Sequence, residues 1–226
     1  MMLSLKILLL KRNFQTLLPY IPFVNLSHFI YIYKEKFLNM TNSKSVKIVL
    51  AGDGGVGKST LISTKNKGKF DCTSKITLGV DFNVVNFANS EYPQLLVFDL
   101  GGQSRFQFLH DSYIRGASAA IILYDLTRER SFENLSKWFK MLKKECGDIP
   151  VIVAGTKMDL CQPEDMMYYK TKWKKFFALE KDGLCRSVLN HMIISSKEYM
   201  GVDEIFMKIA QKITQNQKNP LECKIG

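Results

Sequence analysis

The sequence is short of acids. Asp and Glu number 21 against 32 Lys and Arg, a formal net charge of +11. The surplus is not gathered anywhere: residues 1–39 carry +4 and the remainder +7. No stripe of interleaved basic and aromatic side chains occurs, so no nucleic-acid partner is expected and the charge reads as a solvated basic surface. Cysteine pairing is missing too. The five cysteines, Cys72, Cys146, Cys161, Cys185 and Cys223, are odd in number and no two sit at metal-ligand spacing, which fits a reducing, intracellular compartment. There is no internal repeat and no low-complexity stretch. With 226 residues, 46% of them hydrophobic, the chain can bury a core as one large domain, or as one domain with a tail.

The first 39 residues differ from the rest. Asn13 to Tyr33 is a run of 21 residues without acid, Lys or Arg, long enough to cross a bilayer. It is broken by Pro19 and Pro22 and carries Asn13, Gln15, Asn25, Ser27 and His28, which make a poor membrane helix. It also lacks the small-residue cleavage site of a signal peptide. Residues 1–43 are therefore expected to be a disordered extension or the product of an upstream start, ahead of Met40, with a membrane anchor and a packed accessory helix as the other readings.

From Val46 on, apolar runs alternate with amphipathic ones. Strands are expected at 46–51, 80–87, 94–99, 119–125, 150–155 and 191–195, and helices at 58–67, 103–114, 131–145, 165–181 and 203–215. Unbroken apolar runs such as 119–124 and 151–154 suit strands buried on both faces of a parallel sheet. The alternation predicts an α/β doubly wound fold of three layers, a mostly parallel six-stranded sheet flanked by about five helices. In such folds ligands bind beyond the carboxyl ends of the strands.

The densest motif lies at the first such end. Residues 52–59, Gly-Asp-Gly-Gly-Val-Gly-Lys-Ser, fit G-x-x-x-x-G-K-[ST] without mismatch, between an apolar strand and a helix. In this loop Asp53, Gly54, Gly55, Val56 and Gly57 can turn backbone N–H groups onto one anion. Lys58 adds a charge for the β- and γ-phosphates, Ser59 offers a hydroxyl to Mg2+, and Thr60 opens the helix. A second candidate is Asp99, an acid at the tip of a buried strand, which needs a cation or donors to face. After it, Gly102 can bring an N–H to a γ-phosphate and Gln103 can orient a water for in-line attack. A third is Thr156-Lys157-Met158-Asp159. The Asp159 carboxylate can accept two parallel N–H bonds from guanine, which adenine cannot offer, while Lys157 lays its stem along the base. Ser195, Ser196 and Lys197 follow the last strand, where a backbone N–H can meet the guanine carbonyl.

These motifs, in this order and with Thr77-Leu78-Gly79-Val80-Asp81-Phe82, resemble the Ras superfamily of small GTPases over about residues 44–215. "Leu-Gly-Val-Asp-Phe" (78–82), "Gln-Ser-Arg-Phe" (103–106) and "Tyr-Asp-Leu-Thr-Arg" (124–128) look most like the Rab branch. The resemblance implies a P-loop NTPase fold and a GTP/GDP-regulated switch that hydrolyses GTP slowly with Mg2+ and is stimulated by a partner. It implies that Ser59, Thr77 and Asp99 hold Mg2+, and that Gln103, Lys58 and Thr77 serve hydrolysis. Thr77 stands 19 residues after Lys58, the family's spacing for its switch threonine. Phe70 falls where the family packs a ring against guanine, and Gly54 where a side chain hinders hydrolysis. An exchange factor, a GTPase-activating protein and effectors are the implied partners. The implied location is cytoplasmic, with peripheral membrane association left open.

Several positions depart from the pattern. Thr156 replaces the usual Asn, as in some Rho members, and a contact linking it to the phosphate loop is expected to weaken. Asp-Leu-Gly-Gly-Gln (99–103) is closer to the Arf and Gα style, Ser104 replaces Glu and Ser196 replaces Ala. The stretch from Asp159 to Ser195 is about ten residues longer than in Ras-type members. No Arg is expected to act on the phosphates in cis. Cys223 is fourth from the end, but Lys224, Gly226 and the absence of a polybasic run make residues 216–226 read as an unmodified frayed tail. The competing functions are a GTP-binding scaffold with little hydrolysis and a P-loop kinase using ATP.

Overall fold

The computed structural model describes residues 45–71, 77, 79–88, 91–101, 107–180, 183 and 187–218, with 107–110 as backbone only. The expected N-terminal extension, Gly102, Gln103, the start of the helix expected at 103, and Cys223 lie outside the described residues.

Six strands form one sheet: β1 (Ser45–Ala51), β2 (Val80–Val85), β3 (Gln94–Leu100), β4 (Ala119–Asp125), β5 (Val151–Thr156) and β6 (Val188–Ile193). Their spatial order is β2-β3-β1-β4-β5-β6, and only the β2–β3 pairing is antiparallel. The central strands explain their own position. Every residue of β4 (AAIILYD) and β5 (VIVAGT) is buried, as expected for strands covered on both faces.

The two-residue period of the strands divides the core into two layers. Ile48, Leu50, Val97, Ile121, Leu123 and Ile152 face α1 (Lys58–Lys67) and α6 (Val202–Lys218). Val49, Ala51, Ala120, Ile122, Tyr124 and Val153 face the other side. There they meet α2 (Gln107–Ile114), α4 (Leu135–Cys146) and α5 (Pro163–Glu180). α4 buries Leu135, Trp138, Phe139 and Leu142, and α6 buries Val202, Ile205, Phe206, Ile209 and Ile213. Both follow the i, i+3, i+4, i+7 spacing of a helix with one apolar face. No described helix is long and apolar enough to cross a membrane.

Three elements differ from expectation by three residues or more, among them α6, which runs to Lys218 where 215 is the expected end. The last strand starts at Val188 instead of 191, because Val188 already pairs with Val151 before a register shift. The helix expected at 131–145 is two pieces, α3 (Glu129–Glu133) and α4, meeting at Asn134. The carboxyl ends of β1, β3, β4 and β5, with Ser195 just after β6, bring the motifs to one edge of the sheet.

Candidate active site

The loop after β1 opens at Gly52. Its φ is +132°, and a Cβ there would stand 2.2 Å from Leu123 O, so the turn requires glycine. Lys58 begins α1 and folds back over the loop, donating from Nζ to Gly52 O at 2.7 Å and Asp53 O at 2.8 Å. It is 5% exposed. Burial lowers its pKa to about 8, opposed by the charges of Asp99 and Asp53 and assisted by that of Arg128.

Asp53 contributes its backbone to this arrangement, but its carboxylate turns away. It accepts from Asn134 Nδ2 at 2.7 Å and from Trp138 Nε1 at 2.9 Å. The break between α3 and α4 thus has a purpose, since it presents Asn134 to the loop.

A cluster of oxygens lies beside Lys58. Ser59 Oγ donates to Asp99 Oδ2, Ser59 Oγ and Thr77 Oγ1 are 2.6 Å apart, and Thr77 Oγ1 is 3.3 Å from Asp99 Oδ2. Asp99 is fully buried, and its Oδ1 has no hydrogen-bond partner among the described residues. Burial pushes its carboxyl above the usual carboxylate range, against the bond from Ser59 and the charge of Lys58, while the Asp81 charge adds to the rise. An unpaired buried carboxylate oxygen is costly. Two hydroxyls and a carboxylate are a donor set for a hard, oxygen-seeking cation.

The opposite end of the site is closed by paired groups. Thr156 Oγ1 lies 2.7 Å from Val56 O and 3.0 Å from Tyr124 O, so this threonine does reach the phosphate loop. Lys157 takes a left-handed backbone, φ 62°, and its Nζ meets Asp125 Oδ2 at 2.8 Å. Asp159 Oδ1 accepts from Ser195 Oγ at 2.6 Å, and Lys197 Nζ is 4.0 Å from Oδ2. The Ser195 N–H is committed to Met200 O at 3.0 Å, which leaves Ser196 and Lys197 to offer a backbone donor. Phe70, just past the end of α1, is 40% exposed.

Asp125 and Arg128 belong to the site, although the 124–128 string containing them is read in the sequence only for its likeness to the Rab branch. Asp125 is fully buried at the end of β4. Its Oδ1 accepts from Thr127 N at 2.9 Å and Thr127 Oγ1 at 2.7 Å. Its Oδ2 accepts from Arg128 Nε at 2.8 Å and faces Lys157. Burial alone would raise its pKa, but bonds from Lys157, Thr127 and Arg128 hold it below the usual value. Arg128 continues to the phosphate loop and donates to Gly54 O at 2.9 Å. The criterion that singled out Asp99, an acid ending a buried strand, applies equally to Asp125 and would have found it.

Comparison with known proteins agrees with this geometry. The Ras family model matches residues 47–215. Ras-related protein RABA1b of Arabidopsis thaliana is 34% identical over 169 residues, 74% of this chain and 74% of its own. Ras-related protein Rab-22A of Homo sapiens is 32% identical over 182 residues, 78% of this chain and 87% of its own. GTP-binding protein ypt3 of Schizosaccharomyces pombe is 31% identical over 169 residues, 74% of this chain and 75% of its own. With a strand, glycine loop and helix at one end, and an acid-bearing turn beside a serine at the other, the chain belongs to the Ras family of small GTPases, on its Rab branch.

Proposed function

We propose that residues 52–60, Phe70, Thr77, Asp99, Gly102, Gln103, Thr156, Lys157, Asp159 and 195–197 form one site for GTP or GDP with Mg2+. The domain spans 44–215, flanked by residues 1–43 and 216–226. The observation that carries the reading is the Asp99 carboxylate, fully buried with Oδ1 unpaired beside the Ser59 and Thr77 hydroxyls. These residues fit Mg2+, with phosphate oxygens and waters supplying the remaining ligands. When bound, Mg2+ neutralises charge on the β- and γ-phosphates.

The residues divide the remaining work. The loop N–H groups and Lys58 receive the phosphates, and a triphosphate beside the lysine favours its charged form. Asp159 accepts from the guanine ring N–H and amine, Lys157 and Phe70 flank the base, and Ser196 or Lys197 donates to its carbonyl. Thr156 ties the guanine turn to the phosphate loop. Gln103 orients the attacking water, and Gly54 leaves it room. The loops of Thr77 and Gly102 follow the γ-phosphate, held by GTP and released by hydrolysis.

The cycle calls for an exchange factor, an activating protein and effectors, in vesicle traffic or signalling. The setting is the cytoplasm and the surface of a membrane. An activating partner's arginine can add roughly 10⁵-fold in rate, about 7 kcal/mol of barrier.

Two measurements test the reading. Labelled GDP on the full chain is expected to be displaced by excess GDP and not by excess ADP, and equal displacement by ADP would sink the guanine assignment. In single-turnover hydrolysis, Gln103→Leu is expected to lose most partner-stimulated turnover. A wild-type rate in that variant, with and without the partner, would remove Gln103 from the mechanism, and no turnover in the wild type would favour a GTP-binding scaffold.

A further inference from the structure

Arg128 is the one described arginine whose guanidinium bonds to the glycine loop, and it does so from within the chain. Three observations define its position. Asp125, fully buried, fixes the side chain through Nε at 2.8 Å. Arg128 Nη2 then donates to Gly54 O at 2.9 Å. A Cβ on Gly55 would stand 3.6 Å from one terminal nitrogen and 3.9 Å from the other, so the guanidinium lies over the Gly54–Gly55 edge. Two of its five N–H groups are used by described residues. The side chain is 46% exposed, so it can turn about its anchor. Its charge also acts on Lys58, the lysine closing the same loop.

We propose that Arg128 is a built-in arginine of the hydrolytic site, whose remaining N–H groups meet the γ-phosphate oxygens at the Gly54–Gly55 edge. The inference rests on the GTPase reading. In the reaction the water oxygen bonds to the γ-phosphorus as the bond to the β–γ bridging oxygen breaks. The electron pair of that bond stays on the departing GDP, and the water proton passes to the released phosphate. Arg128 stabilises the charge that develops on the γ-phosphate oxygens and the β–γ bridging oxygen. A guanidinium suits this better than an ammonium, because its planar fork can bridge two phosphate oxygens.

The test is partner-free single-turnover hydrolysis by the full chain loaded with GTP, in wild type, R128A and R128K. R128A is expected to lose about tenfold or more in rate, with R128K failing to restore it. GDP dissociation is expected to change by less than about threefold in both. A second readout is uptake of aluminium fluoride onto the GDP-bound protein without any partner, expected in wild type and lost in R128A. Wild-type hydrolysis by R128A overturns the proposal and leaves the GTPase reading intact. So does a fall in rate that follows faster GDP release and is rescued by R128K, since a clamp on the loop would then explain it. Bound GTP that persists unhydrolysed on the wild type overturns both.

Discussion

The proposed phosphate end and base end of the site are built on opposite principles. At the base end the polar groups already satisfy one another: Thr156 with Val56 and Tyr124, Asp159 with Ser195, and Asp125 with Thr127, Lys157 and Arg128. At the phosphate end, Asp99 keeps a buried oxygen without a partner among the described residues, and the described hydrogen bonds of Lys58 Nζ both go to carbonyls. The described side-chain bonds to the loop there come from outside the oxygen cluster: Asn134 and Trp138 donate to Asp53, Arg128 to Gly54 O and Thr156 to Val56 O. A prewired base end gives a ligand a fixed frame at little ordering cost. An unsatisfied phosphate end makes the local structure depend on what binds, as a switch requires.

Three perturbations sharpen this contrast. The largest effect is expected from Asp125→Ala, which removes the hub of the base end. Lys157 and Arg128 are partly exposed and can be rehydrated, so the loss is about 3 kcal/mol, a fall of roughly 10 °C in melting temperature. A shift below 2 °C would mean that the hub is ornamental.

Next is acidification through His191. This ring shares a 2.9 Å hydrogen bond with Tyr124 OH and stacks on Trp173 at 4.7 Å between centroids. Burial, with the Lys170 charge, lowers its pKa to about 4. At pH 5 the unfolded chain holds a proton here and the folded chain does not. The stability is therefore complete above about pH 6.5 and is lost as the pH falls toward 4. The wild type should lose about 2 kcal/mol more across that window than His191→Phe, measured by urea unfolding. Parallel curves would refute a neutral, half-buried ring.

The smallest effect is expected from Trp138→Phe, which keeps the packing and removes the Nε1 donor to Asp53. It should cost about 1 kcal/mol and speed GDP release a few-fold, read by fluorescent-nucleotide dissociation. Unchanged release would detach α4 from the phosphate loop.

Much of this was readable in the sequence, for physical reasons. β1, β4 and β5 are apolar throughout because both faces are covered, and the glycine loop and Asp159 turn are local strings whose chemistry fixes residue type at each position. The expected start of β6 falls late because Asn190 interrupts its apolar pattern, while His191 is satisfied by Tyr124 from β4, on the far side of β5. The break at Asn134 was missed because its cause is a bond to Asp53, 81 positions away. Arg128 was missed for the same reason. Its bond to Gly54 spans 74 positions, and neither periodicity nor motif encodes where a long side chain turns.

The central claim is that the buried Asp99 oxygen is completed by a divalent cation shared with the nucleotide. The most direct measurement is GDP dissociation from the full chain, with Mg2+ and after chelation with EDTA, in wild type and in Asp99→Asn. The account predicts that chelation speeds release at least about tenfold in wild type. It predicts that Asp99→Asn releases GDP fast in both conditions. Wild-type release that is indifferent to Mg2+ would contradict it.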